Sequence, residues 1–360
     1  MTSEGGAEDR IGPVVIVGAG LVGASIGHDL TQAGVLVHLS DRIRSHAVVA
    51  AGLGAGSLEP SDPDAVRLVV VAVPPDAVAG VVVESLDRYP NAAVTDVASV
   101  KRLVREQVRA RSEAPERYVG SHPMAGSQHT GPLTAVPQLF VDRTWVITDE
   151  PDNPAWAVAR VQRLAELCGA RVVHLDTASH DEAVAQVSHV PQLMSTLTAA
   201  HLRDVPDDHL VLAGPGIRDV TRIAASDPEL WRQIITANAG AIRHELEGIR
   251  DDLDELLAGL DDPQTVEAVM LRGRWGARSL PGKHGGRNRE WESVVIEIPD
   301  APGALARLFA DVEKAGVNVE DLAIEHDSVR EVGFLSVAVS PQRVAALRET
   351  MLAAGWTLRG

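Results

Sequence analysis

One cysteine, Cys168, is present in 360 residues, which excludes an intramolecular disulfide and any zinc site built from several cysteines. No metal is expected. Aromatic residues are scarce, with three Phe, six Trp and two Tyr, so the core has to be assembled from Val, Leu, Ile and Ala. Basic residues are in the minority. The 33 Lys and Arg against 50 Asp and Glu give a net charge of −17, which repels phosphate backbones and argues against a nucleic-acid partner. Apolar runs such as Leu68–Pro75 are far too short to cross a bilayer, so no membrane partner is expected. Met1–Arg10 lacks the basic and apolar regions of a secretion signal, and a cytoplasmic location is expected. What remains is a hydrophobic fraction of 45% and a charged fraction of 23%, ordinary for a globular protein, at a length that suits two or three domains.

The order of apolar runs divides the chain. Pro13–Val17 reads as a fully buried strand, and Val35–Leu39, Leu68–Val73, Ala92–Thr95, Tyr118–Gly120, Trp145–Thr148 and Arg171–Leu175 read as further strands. Helical patterns lie between them at Leu21–Ala33, Ala77–Leu86, Val100–Arg111 and Pro154–Cys168. This alternation predicts an α/β domain with a parallel sheet over residues 11–176. Strands then stop. Ala178–Leu202, Val220–Ala225 and Pro228–Leu260 carry apolar residues at helical spacing, so residues 177–271 read as an all-helical domain that a partner subunit completes. Arg272–Arg289 has no acid and five glycines, and reads as a linker over 272–289. Residues 290–360 read as a small β-α-β-β-α unit of ferredoxin-like type, with a turn at Pro299–Gly303.

Gly18-Ala19-Gly20-Leu21-Val22-Gly23 follows the first strand and opens the first helix. In such a turn the first glycine permits the sharp bend, the second lets a pyrophosphate approach, and the third lets helix and strand pack closely. Free N–H groups and the helix dipole favour the anion. Asp41, at the end of the second strand and 23 residues after Gly18, suits the ribose hydroxyls. A carboxylate there repels a 2′-phosphate, so NAD is expected rather than NADP, although the neighbouring Arg42 suits a phosphate. Asp41 also reads as a simple turn residue. Val73 and Pro74, at the end of the next long strand, are expected beside the cofactor.

Three polar groups stand out. Asp96–Lys101 and Gly120–Gln128 follow strands, where ligands bind in doubly wound sheets. The third group comprises His180, His189 and Asp219–Trp231 in the helical region. Each has a bland reading too. Ser99 suits the cap of a helix beginning at Val100. His122 suits an inert loop position, His189 a buried kink beside Pro191, and Arg222 a surface pair with Asp219 or Asp227. Residue chemistry alone reaches an NAD-dependent oxidoreductase whose His and Arg face an anionic substrate.

Together these segments resemble the prephenate/arogenate dehydrogenase family. The resemblance rests on Gly18–Gly23, Asp96-Val-Ala-Ser99-Val-Lys101, Ser121-His122-Pro-Met-Ala-Gly126, His180-Asp181 through His189-Val-Pro191, and Thr221-Arg222-Ile-Ala with Asp227-Pro and Trp231. It spans residues from about 12 to 260. It implies a homodimer that removes hydride to NAD from the hydroxyl-bearing ring carbon of a cyclohexadiene acid while the ring carboxylate leaves as CO2. His122 and Ser99 would be the catalytic pair. Arg222 would hold a substrate carboxylate with Asp219 orienting it, and His189 and His180 would hold the substrate. Ser127 and Gln128 continue the His122 loop, and a neutral Gln128 offers no partner to the ammonium of arogenate, which points to prephenate. The tail resembles an ACT domain through Asp300-Ala-Pro-Gly303 and Ala315-Gly-Val-Asn318. That implies tyrosine or a related effector at Gly303 and Asn318, or a unit that only assembles subunits. Three rival readings remain: the same reaction on arogenate or on a modified prephenate of secondary metabolism, a hydroxy-acid dehydrogenase with Lys101 as base, and a sensor that binds NAD and an amino acid without turnover.

Overall fold

The computed structural model describes residues 11–125, 131–280, 291–299, 301–327 and 332–359. They divide into two compact units along the chain, the first ending at Arg250 and the second beginning at Asp251. The first unit opens with β1 (Val14–Val17), α1 (Leu21–Gln32), β2 (Val37–Ser40), α2 (Arg44–Gly52), β3 (Leu68–Val71), α3 (Pro75–Arg88) and β4 (Ala93–Asp96). The strands are parallel in the order β2-β1-β3-β4. Successive strand residues face opposite sides. Val14, Ile16, Leu68 and Val70 pack with α1, while Val15, Val69 and Val71 pack with α3. Burial on both faces is why these strands read as unbroken β-branched runs.

The chain then forms α4 (Arg102–Arg111), β5 (Gly120–Pro123), β6 (Thr144–Thr148), α5 (Ala155–Leu167) and β7 (Arg171–Leu175). A single parallel bridge, Val94 to Tyr118, carries the chain alongside β4. The strand expected at Tyr118–Gly120 lies later, because Gly120–Pro123 pairs antiparallel with β6. His122 is therefore a strand residue, not a loop residue. Continuing the bridge register places it level with Ala98, at the edge where β4 ends.

Several of the remaining helices depart from the expected boundaries. The segment expected as one helix over Ala178–Leu202 is α6 (Thr177–Val184), a π-turn (Ala185–His189) and α7 (Val190–His201). Pro191 has no N–H to return to the preceding turn, and the wider turn lies just before it. After the single turn α8 (Asp207–Leu210), the stretch expected at Val220–Ala225 is α9 (Pro215–Thr221) followed by a 3-10 turn, Arg222–Ala225. The helix expected over Pro228–Leu260 is α10 (Pro228–Ala237) and α11 (Ala239–Ala258), broken at Asn238 where φ is −113° and ψ is 24°. The linker expected from Arg272 starts later, since α12 (Pro263–Ser279) runs through Gly273 and Gly276. Two glycines weaken a helix by roughly 1 kcal/mol each without ending it, whereas Pro281 cannot continue it.

The second unit continues with β8 (Glu292–Pro299), α13 (Ala304–Lys314), β9 (Asp321–Asp327), β10 (Val332–Val339), α14 (Pro341–Ala353) and β11 (Thr357–Arg359). Its antiparallel sheet has the order β11-β8-β10-β9. This is a βαββαβ arrangement, with one short closing strand more than expected. Ile296, Leu308, Leu335, Leu347 and Trp356 form its core. No helix among the described residues is long and apolar enough to cross a membrane.

Candidate active site

The glycine-rich turn is built by backbone. Gly18 has φ +102°, and a Cβ on it would lie 2.2 Å from the carbonyl oxygen of Ala72. A Cβ on Gly23 would lie 1.9 Å from the carbonyl oxygen of Gly18. Around Gly20, by contrast, a Cβ would meet nothing within 4 Å. That space adjoins the start of α1, which has no side-chain cap and no acid in its first turn. The first helical N–H groups are left without intrahelical partners, a cradle that fits a pyrophosphate. Val73 adjoins it, with its Cγ1 3.2 Å from where a Gly18 Cβ would stand. Pro74 is exposed and precedes α3. Leu21 is buried and Val22 packs against the core, so those two side chains anchor the turn.

Asp41 directly follows β2. Its Oδ2 accepts from the Ala19 amide at 2.7 Å and its Oδ1 from the Ile43 amide at 2.7 Å. The turn role and the ribose role are therefore compatible: a carboxylate has about four lone-pair positions, and two are engaged. Arg42 is exposed beside it.

Asp96 and Lys101, expected to face a ligand, are instead both fully buried and paired with each other. The ammonium also donates to the Ser121 carbonyl at 2.8 Å, and the Tyr118 hydroxyl donates to Asp96 at 2.5 Å. Burial lowers the Lys101 pKa, with the Asp96 charge opposing. The pair braces β4 against β5, because an ion this deep is retained only with a partner and further hydrogen bonds. Lys101 is thereby committed to structure, and the rival reading with a lysine base loses its base.

Between Asp96 and Lys101, Ser99 is half-buried, and among the described residues its hydroxyl has no hydrogen-bond partner. It does not cap a helix. The following helix, α4, starts at Arg102 and is capped from outside by Asp181 of α6, whose carboxylate accepts from the Lys101 amide at 2.8 Å and the Arg102 amide at 3.0 Å. The same carboxylate takes His180 Nδ1 at 2.8 Å, and His180 Nε2 lies 3.0 Å from His122 Nδ1. Both nitrogens of the fully buried His180 are thus committed, which leaves neither for the substrate contact expected of it. His122 is half-buried, and its pKa is pushed well below the ordinary histidine value by burial, then by His180, Lys101 and His189. At neutral pH its ring is an uncharged imidazole.

His189 closes the π-turn and is buried, with its edge against Trp231 at a ring separation of 6.1 Å. Burial lowers its pKa to about 4. Asn238 holds its Nδ1 at 3.2 Å and donates to the Asp181 carbonyl at 2.7 Å, while Nε2 is buried with no partner. Asp181 and Asn238 were not singled out as functional residues by sequence. Asn238 was detectable in principle, as a polar residue four positions from Ile234 and from Ile242 on an apolar stripe.

Arg222 begins the 3-10 turn, which Gln192 of α7 fixes by donating to the Ile223 carbonyl at 2.9 Å. The guanidinium is exposed, and among the described residues it pairs with neither Asp219 nor Asp227. Asp227 is occupied as the cap of α10. Asp219 is exposed on α9, so its expected orienting contact with Arg222 is not made. Ser127 and Gln128 lie outside the described residues. In the second unit, Gly303 (φ +84°) precedes α13, and Asn318 is exposed with its amide on Glu320 at 2.7 Å. Among the described residues no group of His, Cys, Asp and Glu is arranged to hold a metal.

Comparison with known proteins decides the family. Residues 26–174 match the model of the prephenate dehydrogenase nucleotide-binding domain, and residues 176–270 match that of the prephenate dehydrogenase dimerization domain. The chain belongs to the prephenate dehydrogenase family. A Streptomyces niveus protein named probable prephenate dehydrogenase NovF is 33% identical, over 95% of this chain and 98% of its own. The crystal structure of Synechocystis arogenate dehydrogenase is 27% identical, with a TM-score of 0.64 over 74% of this chain and 98% of that one. A prephenate dehydrogenase from A. aeolicus, solved with hydroxyphenyl propionate and NAD+, shares the fold at 24% identity, with a TM-score of 0.65 over 73% of this chain and 96% of that one. As a family member with an intact glycine turn, the chain is an NAD-dependent oxidoreductase. The family places the cofactor in the N-terminal α/β region and dimerization in the helical one.

Proposed function

We propose that the chain is a prephenate dehydrogenase that converts prephenate and NAD to 4-hydroxyphenylpyruvate, CO2 and NADH, with His122 as the group that meets the substrate hydroxyl. The observation that carries this is the state of His122: an imidazole held neutral, with Nδ1 committed to His180, on the sheet edge that also carries Ser99 and the glycine turn. Bound NAD supplies the hydride acceptor. As hydride leaves the ring carbon, its hydroxyl becomes acidic, and a neutral imidazole accepts from it. The ring carboxylate leaves as CO2, its bonding electrons complete the aromatic ring, and His122 returns the proton to the phenol oxygen. Hydride and CO2 account for the whole change, so no net proton is released. Ser99, whose hydroxyl is unengaged, orients the substrate hydroxyl toward His122. The exposed Arg222 guanidinium grips a substrate carboxylate in a two-pronged geometry. His189 offers its unpartnered Nε2 to a substrate oxygen.

The test is NADH formation from purified protein, NAD and prephenate, compared with His122→Asn. Arogenate is the second reading, since the family includes an arogenate dehydrogenase of the same fold. Run in parallel, it tests whether Gln128 excludes an ammonium; faster turnover of arogenate would reject that assignment. The protein acts in the cytoplasm as a homodimer through its helical region, which the molecular mass in solution checks. The C-terminal βαββαβ unit is an ACT domain that binds tyrosine or a related amino acid at Gly303 and Asn318. Titration of the full chain with tyrosine tests this: heat of binding at up to millimolar ligand supports it, and its absence leaves the unit an assembly module.

A further inference from the structure

Asp181 does two things with one carboxylate. It receives two backbone amides at the start of α4, and it receives a ring nitrogen of His180. Burial pushes its pKa up, but the His180 hydrogen bond and the two amides outweigh this, and the group is held below the usual carboxylate range. An ionised carboxylate only accepts. The proton between Asp181 and His180 therefore sits on His180 Nδ1. With that proton alone, His180 has a bare Nε2, and the hydrogen bond it shares with His122 uses a proton on His122 Nδ1. His122 Nε2 is left with its lone pair, which is the form a proton acceptor needs. Free imidazole favours the opposite tautomer, so the arrangement imposes a choice.

We propose that Asp181 is a positioning residue that fixes the reactive tautomer of His122 through His180. The inference rests on the reading of His122 as the acceptor of the substrate proton. In that step the substrate O–H bond breaks and a bond to His122 Nε2 forms. The positive charge on His122 is then shared along its Nδ1–H bond with His180 and stabilised by the Asp181 anion. No electron is transferred in the step, and reversal returns the proton to the phenol oxygen. Because Asp181 also caps α4, the helix that follows the Ser99 loop, the packing of α6 on α4 and the reactivity of His122 depend on the same side chain.

Asp181→Asn in the full-length chain separates the two roles. Asparagine keeps one acceptor oxygen for a helix-start amide, where the carboxylate serves the two amides with separate oxygens, and it removes the charge and permits the wrong tautomer. The expected result is a folded protein that binds NAD as the parent does, with kcat lowered by about a hundredfold or more and KM for prephenate changed by less than about threefold. Nitrogen-15 NMR of the ligand-free parent, with the ring assigned by its loss in His122→Asn, should find His122 protonated on Nδ1 and bare on Nε2. In Asp181→Asn the proton should move to Nε2. Turnover within about threefold of the parent, or a parent His122 protonated on Nε2, would overturn the proposal. If Asp181→Asn fails to fold, the tautomer in the parent decides alone. If the parent turns over neither prephenate nor arogenate, the functional reading fails, while the tautomer measurement still tests the link from Asp181 to His122.

Discussion

The glycine turn and the histidine cluster are built in opposite ways. The turn is one contiguous stretch, Gly18–Gly23, whose chemistry comes from backbone N–H groups, a positive φ and the absence of side chains. The cluster draws side chains from β5, α6, the π-turn and the break between α10 and α11, and its chemistry comes from which ring nitrogen each neighbour occupies. A backbone site is set by local conformation and tolerates little change in shape. A side-chain site is set by long-range packing and tolerates little change in hydrogen-bonding pattern.

Substitutions that respect shape but alter hydrogen bonding should therefore damage the cluster most. His122→Asn retains a polar side chain but no basic nitrogen, and kcat should fall by about 10²–10⁴ in a steady-state assay. Near-normal turnover would remove His122 from the chemistry. Arg222→Ala should act chiefly on binding, raising KM for prephenate by about tenfold or more with a smaller change in kcat. Equal losses in both parameters would mean that Arg222 does more than hold the carboxylate.

The turn should show the complementary behaviour. Gly23→Ala drives a Cβ into the Gly18 carbonyl and should lower Tm, whereas Gly20→Ala meets only open space and should leave Tm unchanged while weakening NAD. If both variants lose stability alike, the space at Gly20 is not a cofactor cradle. Asp41→Ser should weaken NAD more than NADP, by up to about tenfold in the ratio of affinities, because it removes both the ribose partner and the charge that repels a 2′-phosphate. Equal effects on both cofactors would assign Asp41 to the turn alone.

Acid should distinguish the two regions as well. His122 ionises well below the ordinary value of 6.5, so kcat/KM should hold as pH falls through 6.5 and drop only at lower pH. His189 is neutral in the folded state down to about pH 4 and takes a proton near 6.5 when unfolded. The unfolded chain thus binds the extra proton between those values. The contribution of His189 to stability is full above about pH 6.5 and declines toward pH 4, by on the order of 3 kcal/mol, as denaturant titrations of the parent and of His189→Gln at a series of pH values would show. His189→Gln should flatten that decline, with little effect on the turn.

The same contrast explains what was legible in the sequence. The strands of the α/β region other than β5, the glycine turn and the position of Asp41 are local patterns, and they lie close to where the residue order implies. Antiparallel pairing with β6 carries β5 three residues past its expected end at Gly120, and that shift turns His122 from a loop residue into a strand residue. Helix breaks at Asn238 and before Pro191 were obscured because the apolar stripe continues across them. The burial of Asp96 with Lys101, and the capping of α4 by a residue 80 positions away, follow from tertiary packing, and no local spacing encodes them. His180 was recognisable as a site residue, but its role was not, since only its neighbours reveal that both nitrogens are taken.

The most direct test is to follow NADH while purified protein consumes prephenate in the presence of NAD, with CO2 and 4-hydroxyphenylpyruvate quantified and His122→Asn run beside it. One NADH and one CO2 are expected for each prephenate consumed, at a rate lost in the variant. No NADH from prephenate or arogenate, or a rate indifferent to His122, would contradict the proposed reaction.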